Sequence, residues 1–454
     1  MLQRMSYSMT AAAALLCFAG PANAAVSAEE AQKLKTTLTP VGAERAGNAD
    51  GSIPAWTGTS IKVPAGYKSG DQRPDPFAGE KPVLKITASN ADAHNDKLSD
   101  GVKALLKKYP DTYRVDVYPT HRTAVLPQWI YDNTFRNATS AKTKNGGNAI
   151  TGAYGGIPFP IPADGAEAMW NHRLAYTGST TNTYYVNYTG TTDGKIVLAS
   201  KGYNKVQVPY YDRKTAWTPD YTGAYQQIRL WQTDPAFKAG EALLIVDTLD
   251  RGRQAWQYFP GQRRVRKAPT VGYDTPNDVN SGQEYFDEAY LFFGDLDRYD
   301  WKLVGKREMI IPYNNNRWMT LPTEKQYSTH HLNPDAVRWE THRVWVVEAT
   351  LAAGKRHVVP KRRFYLDEDT WSVVLHEGWD AEGKLWRMGM GMPHVVWEGP
   401  YVAANAPWTT YNLQAGSWVA GSPPDFAAGP YFRQLDKLPE TTFTPEALAG
   451  EGVR

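Results

Sequence analysis

The run RRFYLDEDTWSVVLHEGWDAEGKLWRM, Arg362–Met388, decides the fold. It holds three short stretches rich in aliphatic and aromatic residues: Arg362–Leu366, Trp371–Trp379 and Lys384–Met390. Between them stand Asp367-Glu368-Asp369 and Glu382-Gly383, residues that suit tight turns. Turns this short join antiparallel neighbours, so the run predicts consecutive hairpins. In the middle stretch Trp371, Val373, Leu375 and Trp379 fall on odd positions, against Ser372, His376 and Gly378 on even ones. Val374 is the exception. Period two therefore predicts one apolar stripe on one face of a sheet.

The same pattern extends backwards to about Tyr184. Strands are predicted at Tyr184–Tyr188, Lys195–Ser200, Lys205–Tyr210, Tyr225–Gln232, Ala242–Leu249 and Ala255–Phe259. Two more are predicted at Tyr299–Pro312 and His342–Leu351, with a helical interruption near Gln283–Phe293. Asp193-Gly194 and Pro260-Gly261 punctuate the series. Before Tyr184 the reading changes. Ser27 and Glu30 form a capping box ahead of a short helix. Residues 42–82 are rich in Pro, Gly and Asp, as in a segment that wraps a larger body. Helices are predicted at Ser99–Tyr109 and Ala163–Leu174. From Val402 onward the chain reads as a loop-like tail with a short helix after Thr444-Pro445. The expectation is an α+β protein built on one large antiparallel sheet. Residues 25–183 form an N-terminal wrapping segment with helices, 184–400 the sheet core and 401–454 a tail packed on it, all in one domain.

Residues 1–24 read as a secretory signal. Arg4 supplies the charge, Ala11–Gly20 the apolar stretch and Ala22-Asn23-Ala24 the cleavage site. Export would leave 430 of the 454 residues, starting at Ala25, and periplasmic localisation follows. The one cysteine, Cys17, lies in the apolar stretch behind Leu16 rather than a small residue, so lipidation is not expected. The exported chain has neither disulfides nor thiolate chemistry. Losing Arg4 takes Lys+Arg from 50 to 49 against 47 acids, a balance too even for a nucleic-acid binder. No later apolar run has the roughly 20 residues of a membrane helix.

Catalytic signatures are absent. No nucleophile elbow, phosphate-binding loop, dinucleotide glycine run or His-Glu-x-x-His occurs. His330 and His331 are adjacent, so on a strand they would point to opposite faces and chelate one ion badly. Asp295 with Asp297, or Asp367 with Asp369, could be paired glycosidase carboxylates, but turn positions explain the second pair better. No catalytic residue, metal or cofactor is expected. With 16 Trp and 27 Tyr, two uses of aromatic surface remain: a sugar-stacking platform, or the wall of a core or cavity. The candidate ligand-facing residues are Leu244, Val246, Trp345, Trp371, Val373, Leu375 and Trp379. Arg263, Arg264, Arg266 and Lys267 form the densest basic run, followed by Lys361, Arg362 and Arg363. These are solvated edge charges, or a dock for an anionic headgroup or acidic partner.

Three stretches carry a resemblance to a known family. They are LTPVGAERAGNADGSIPAWTG (Leu38–Gly58), YPDTYRVDVYPTHRTAVLPQWIYDNTFRNAT (Tyr109–Thr139) and GGIPFPIPADGAEAMWNH (Gly155–His172). They closely resemble the blocks of the bacterial domain-of-unknown-function 1329 family, over nearly the whole exported chain. WQYFPGQRRVRKAP (Trp256–Pro269) and the Arg362–Met388 run resemble, more broadly, strand pairs of the lipoprotein carriers LolA and LolB. The resemblance implies an unclosed half-barrel with helices in or over its concave face and an apolar cavity. It also implies a periplasmic carrier of a lipid-like or other hydrophobic molecule, moving it towards the outer membrane with transient membrane contact. An exporter of the resistance-nodulation-division class and an outer-membrane protein are the partners it implies. Two other classes stay open: an envelope polysaccharide-active enzyme, and a non-carrying interaction module in an exporter assembly.

Overall fold

A computed structural model describes residues 25–399, 401–404, 406–423 and 432–451. The signal-peptide reading and Cys17 lie outside the described residues. The described residues form twenty strands. In order they are β1 (Leu84–Ile86), β2 (Val115–Val117), β3 (Lys142–Lys144), β4 (Ala149–Thr151), β5 (Thr180–Gly190), β6 (Ile196–Gln207) and β7 (Ala224–Asp234). Then come β8 (Ala242–Thr248), β9 (Gly252–Phe259), β10 (Arg264–Lys267), β11 (Tyr299–Pro312), β12 (Trp339–Leu351), β13 (Lys361–Asp367) and β14 (Val373–Trp379). The last six are β15 (Leu385–Gly391), β16 (His394–Val396), β17 (Tyr401–Ala403), β18 (Trp408–Asn412), β19 (Ser417–Gly421) and β20 (Phe432–Gln434). The α-helices are α1 (Ala28–Ala31), α2 (Asp100–Lys108), α3 (Gln128–Ser140), α4 (Gly165–Arg173), α5 (Asn316–Thr320), α6 (Thr323–Gln326) and α7 (Pro445–Glu451).

Sixteen strands join one sheet. Its main path runs β11-β12-β13-β14-β15-β18-β19-β5-β6-β7-β8-β9-β10, and β10 does not meet β11, so it is not closed into a barrel. All these pairings are antiparallel; β2 adds one parallel bridge, Val117 beside Trp339. The expected hairpins form, with two corrections. Most of Lys195–Ser200 and the start of Lys205–Tyr210 belong to a single long strand, β6, paired along its length with β5 and β7, while Pro209 and Tyr210 turn into a 3-10 helix. The expected loop-like tail is instead structural: β18 and β19 insert between β15 and β5 and join the two halves of the sheet.

A third correction concerns the stripe on β14. Leu366 pairs with Val373 and Tyr365 with Leu375, so Val374 is an extra residue in a β-bulge. The bulge reverses the facing of everything after it. Trp371 and Val373 join one core with Phe364 and Leu366. Leu375 joins another with Tyr365, Met388, Val102 and Leu105. Trp371 itself precedes the strand, at φ +62° in the turn.

The two faces are covered differently. On the concave face, α4 packs on β11 and β12, and the 3-10 turn Phe286–Leu291 packs on β14, β15 and β18. On the opposite face α2 packs on β15 and α7 on β8–β10. Ser99 starts α2 by accepting from the Val102 N–H. The Glu377 carboxylate, 2.6 Å from the Gly101 N–H, fixes that helix to the sheet. α3 was not expected from the sequence. Its buried side includes Thr134 and Asn137, which bond the backbone of Ile157 and Tyr154 instead of presenting an apolar stripe.

Candidate functional site

Between β5–β8 and the segment 277–293 lies a chamber. The sheet supplies Ile228, Leu230, Leu243 and Ile245, and the covering segment supplies Phe286 and Phe293. These apolar residues alternate with the outward-facing Arg229, Leu244 and Val246, as period two requires. The chamber has a volume of about 60 Å³. Asn204, Tyr290, Phe293 and Ser422 border both it and a second cavity of about 110 Å³. The second cavity is more polar, walled by Thr181, Thr183, Gln226, Arg173 and His394. Asn204 Oδ1, shared by both, and Arg173 Nη1 are buried without a hydrogen-bond partner. In the closed form this space suits a few waters, not a lipid.

The cover is held by buried charges. Asp287 accepts from Arg362 Nη2 at 2.9 Å and from His357 Nε2 at 2.9 Å. His357 Nδ1 accepts the Val359 N–H, so its Nε2 carries the proton given to Asp287. Arg362 and His357 hold the Asp287 carboxyl well below the ordinary range despite complete burial. Glu288 takes both forks of Arg387, at 2.9 and 2.7 Å, and is likewise lowered. Among the described residues no cation is salt-bridged to Glu284. It accepts from Trp408 Nε1 at 3.0 Å and from Asn277 and Asn280, and burial pushes its pKa up to about 7. His172 on α4 makes the fourth tie. Its Nδ1 accepts the Val373 N–H and its Nε2 donates to the Phe292 carbonyl, while burial lowers its pKa to about 4.

None of the seven residues singled out for ligand contact lines either cavity. Leu244 and Val246 face away from the chamber and pack beneath α7 with Phe443 and Leu448. Trp345 stacks on Trp371 at 6.0 Å beneath Lys306. Val373 lies in the same core and Leu375 in the other. Trp379 lies under Lys361 and Arg363. Strand alternation places Leu244 and Val246 on the same face of β8, the one opposite the chamber-lining Leu243 and Ile245. The basic residues divide too. Arg263, Arg264, Arg266 and Lys267 are exposed on the edge strand β10 and its turn, and no ion pair to them is seen among the described residues. Arg362 is no edge charge but the buried clamp on Asp287, while Arg363 pairs with Glu348 and Asp100. Sequence reasoning missed the clamp acids, since Asp287 and Arg362 are 75 residues apart.

The three family-like stretches meet around the β13–β14 turn. The Trp371 indole donates to the Val41 carbonyl at 2.7 Å, Arg122 grips Asp369, and His172 receives the Val373 N–H. Gly42, at φ +96°, lies so close to Pro160 that a Cβ would sit 1.8 Å from its carbonyl oxygen. Asp367 and Asp369 are therefore part of a buried polar cluster, and Asp295 and Asp297 pair with Arg173 and Lys355.

Fold and cavities together define an open-sheet protein with a clamped cover over an internal chamber. The chain belongs to the family described as Protein of unknown function (DUF1329), whose model matches residues 85–449. An uncharacterized protein of Pseudomonas aeruginosa is 38% identical over 455 residues, 98% of each chain. Among solved structures, a putative outer membrane lipoprotein-sorting protein domain from Vibrio parahaemolyticus matches with TM-score 0.42 and 14% identity, over 62% of this chain and 97% of its own. A DUF1329 family protein from Desulfovibrio piger matches at 0.39 and 14%, over 62% and 95%. A LolA superfamily protein from Nitrosomonas europaea matches at 0.37 and 11%, over 63% and 99%. Among the described residues no helix is long and apolar enough to cross a membrane.

Proposed function

We propose that the protein is a non-enzymatic carrier that takes an acyl chain into the chamber between β5–β8 and the cover 277–293. One observation carries this reading: an apolar chamber under a cover fixed by discrete polar clamps, sharing wall residues with a second, more polar cavity. The chamber is too small for a lipid when closed, so loading requires the cover to lift. Burying a methylene gains about 0.8 kcal/mol, so about ten of them supply about 8 kcal/mol. That is on the scale of breaking one or two buried ion pairs, at roughly 3–5 kcal/mol each. The polar cavity would then hold the headgroup, with Asn204 and Arg173 as its hydrogen-bonding partners. Export to the periplasm, delivery towards the outer membrane and a resistance-nodulation-division exporter as partner belong to the same proposal. The exposed strand β10 offers its basic residues to an anionic membrane surface.

The test is titration of the wild type and Leu243→Trp with a fluorescent fatty acid. Saturable binding that the bulky side chain abolishes, with the fold retained, supports the proposal. A probe that binds neither protein, or both equally, overturns it.

A further inference from the structure

We propose that His342, Asp367 and Asp369 form a binding site for one divalent transition-metal ion. Donor atoms of the three residues lie within 4.8 Å of one another, and all three side chains are buried. His342 comes from β12, whereas both aspartates come from the β13–β14 turn.

Hydrogen-bond directions make the case. Glu340 Oε2 lies 3.0 Å from His342 Nε2. Glu340 also accepts from the His121 N–H, Asn314 and Arg338, so it is a filled, ionised acceptor, and Nε2 must donate to it. On the other side of the ring, His342 Nδ1 lies 4.0 Å from Asp367 Oδ1. Asp367 Oδ1 is fully buried and has no hydrogen-bond partner, whereas Oδ2 accepts from Tyr313, Thr370 Oγ1 and the Thr370 N–H. Nδ1 and Oδ1 thus face each other too far apart for a direct hydrogen bond, and Oδ1 has no other partner. A shared proton needs a separation of about 2.7–3.2 Å. Two ligands each about 2.0–2.2 Å from one tetrahedral zinc ion stand roughly 3.3–3.6 Å apart, so a bound ion would draw His342 and Asp367 together by about half an ångström.

The surroundings agree. A metal-binding imidazole commonly gives its other N–H to a carboxylate, as His342 does to Glu340. Arg122 holds Asp369 through both oxygens, at 2.8 and 2.7 Å, leaving each a lone pair to spare. Around the site Arg122, Lys306, Arg338 and Arg343 face six carboxylates, those of Glu44, Glu80, Glu340, Asp367, Glu368 and Asp369. One imidazole and two carboxylates suit zinc or manganese better than calcium, which prefers oxygen alone. Complete burial makes the site structural: the ion would staple β12 to the β13–β14 turn, and through Arg122 to the segment before α3.

Chelated, unfolded full-length protein is refolded with zinc, with manganese or with EDTA, then desalted and measured for metal and melting temperature. The proposal expects about one retained ion per chain and a higher melting temperature. His342→Gln and Asp367→Asn, if folded, lose both the ion and the rise. No retained ion in the wild type, or full retention in both variants, overturns it. X-ray absorption of the zinc-loaded wild type decides the matter even if the variants do not fold. A shell of oxygen donors with one imidazole supports the site, and two or more imidazoles place the ion elsewhere.

Discussion

Val373 and Leu375 stand two residues apart on one strand yet face opposite sides of the sheet, because Val374 is bulged between them. Leu375 is fully buried against α2 and β15 and lines neither of the two cavities described above. Leu375→Ala should therefore cost about 2–5 kcal/mol, read from urea unfolding. It should leave fatty-acid affinity unchanged in whatever remains folded. A weakened affinity at unchanged stability would show that this position touches ligand.

The clamp can be tested as a cycle. Asp287→Asn and Arg362→Met should each destabilise by roughly 3–5 kcal/mol, since each leaves a buried partner unpaired. The double variant should recover part of that loss. Amide exchange should rise across 277–293 before it rises in β12–β14. Exchange that changes evenly over the sheet would mean the cover does not open as a unit.

Glu284 gives the cover a pH dependence. Its ordinary pKa of 4.5 rises to about 7 in the folded protein. The folded state therefore keeps a proton that the unfolded chain releases. The stability this contributes is complete below pH 4.5 and lost as the pH rises through about 7, on the order of 1–3 kcal/mol. Glu167, also raised to about 7, adds a slope of the same sign. Glu284→Gln mimics the protonated form and should remove its own share of the slope in melts between pH 5 and 8. An unchanged slope would assign it elsewhere.

Much of this was legible in the sequence. Asp193-Gly194 and Glu382-Gly383 marked real hairpin turns, and Ser99 marked the start of α2. Period two does not reveal a bulge, because an apolar Val374 in an apolar strand breaks no pattern visible in one chain. Nor does it say which face is concave, so alternation alone does not separate Leu244 and Val246 from Leu243 and Ile245. β18 and β19 form a local hairpin, but its place between β15 and β5 is set by the pairing of β19 with β5 more than 200 residues earlier, which no local pattern shows. The buried clusters pair residues such as Arg122 with Asp369, 247 positions away, where only the fold creates the chemistry.

The exposed bases of β10 make a separate prediction. Replacing Arg263, Arg264 and Arg266 with Gln should weaken sedimentation with anionic vesicles and flatten its salt dependence. Stability should move by no more than about 0.5 kcal/mol. Unchanged vesicle binding would leave these residues as solvated edge charges.

The chamber itself is tested most directly by crosslinking a photoactivatable fatty acid to the protein and mapping the modified peptides by mass spectrometry. Adducts should concentrate on β7 and β8, around Ile228 and Leu243, and on the cover at Phe286–Phe293. They should disappear in Leu243→Trp. Adducts confined to the α2 face or the α7 face, or none above background, would contradict a ligand chamber on the concave side.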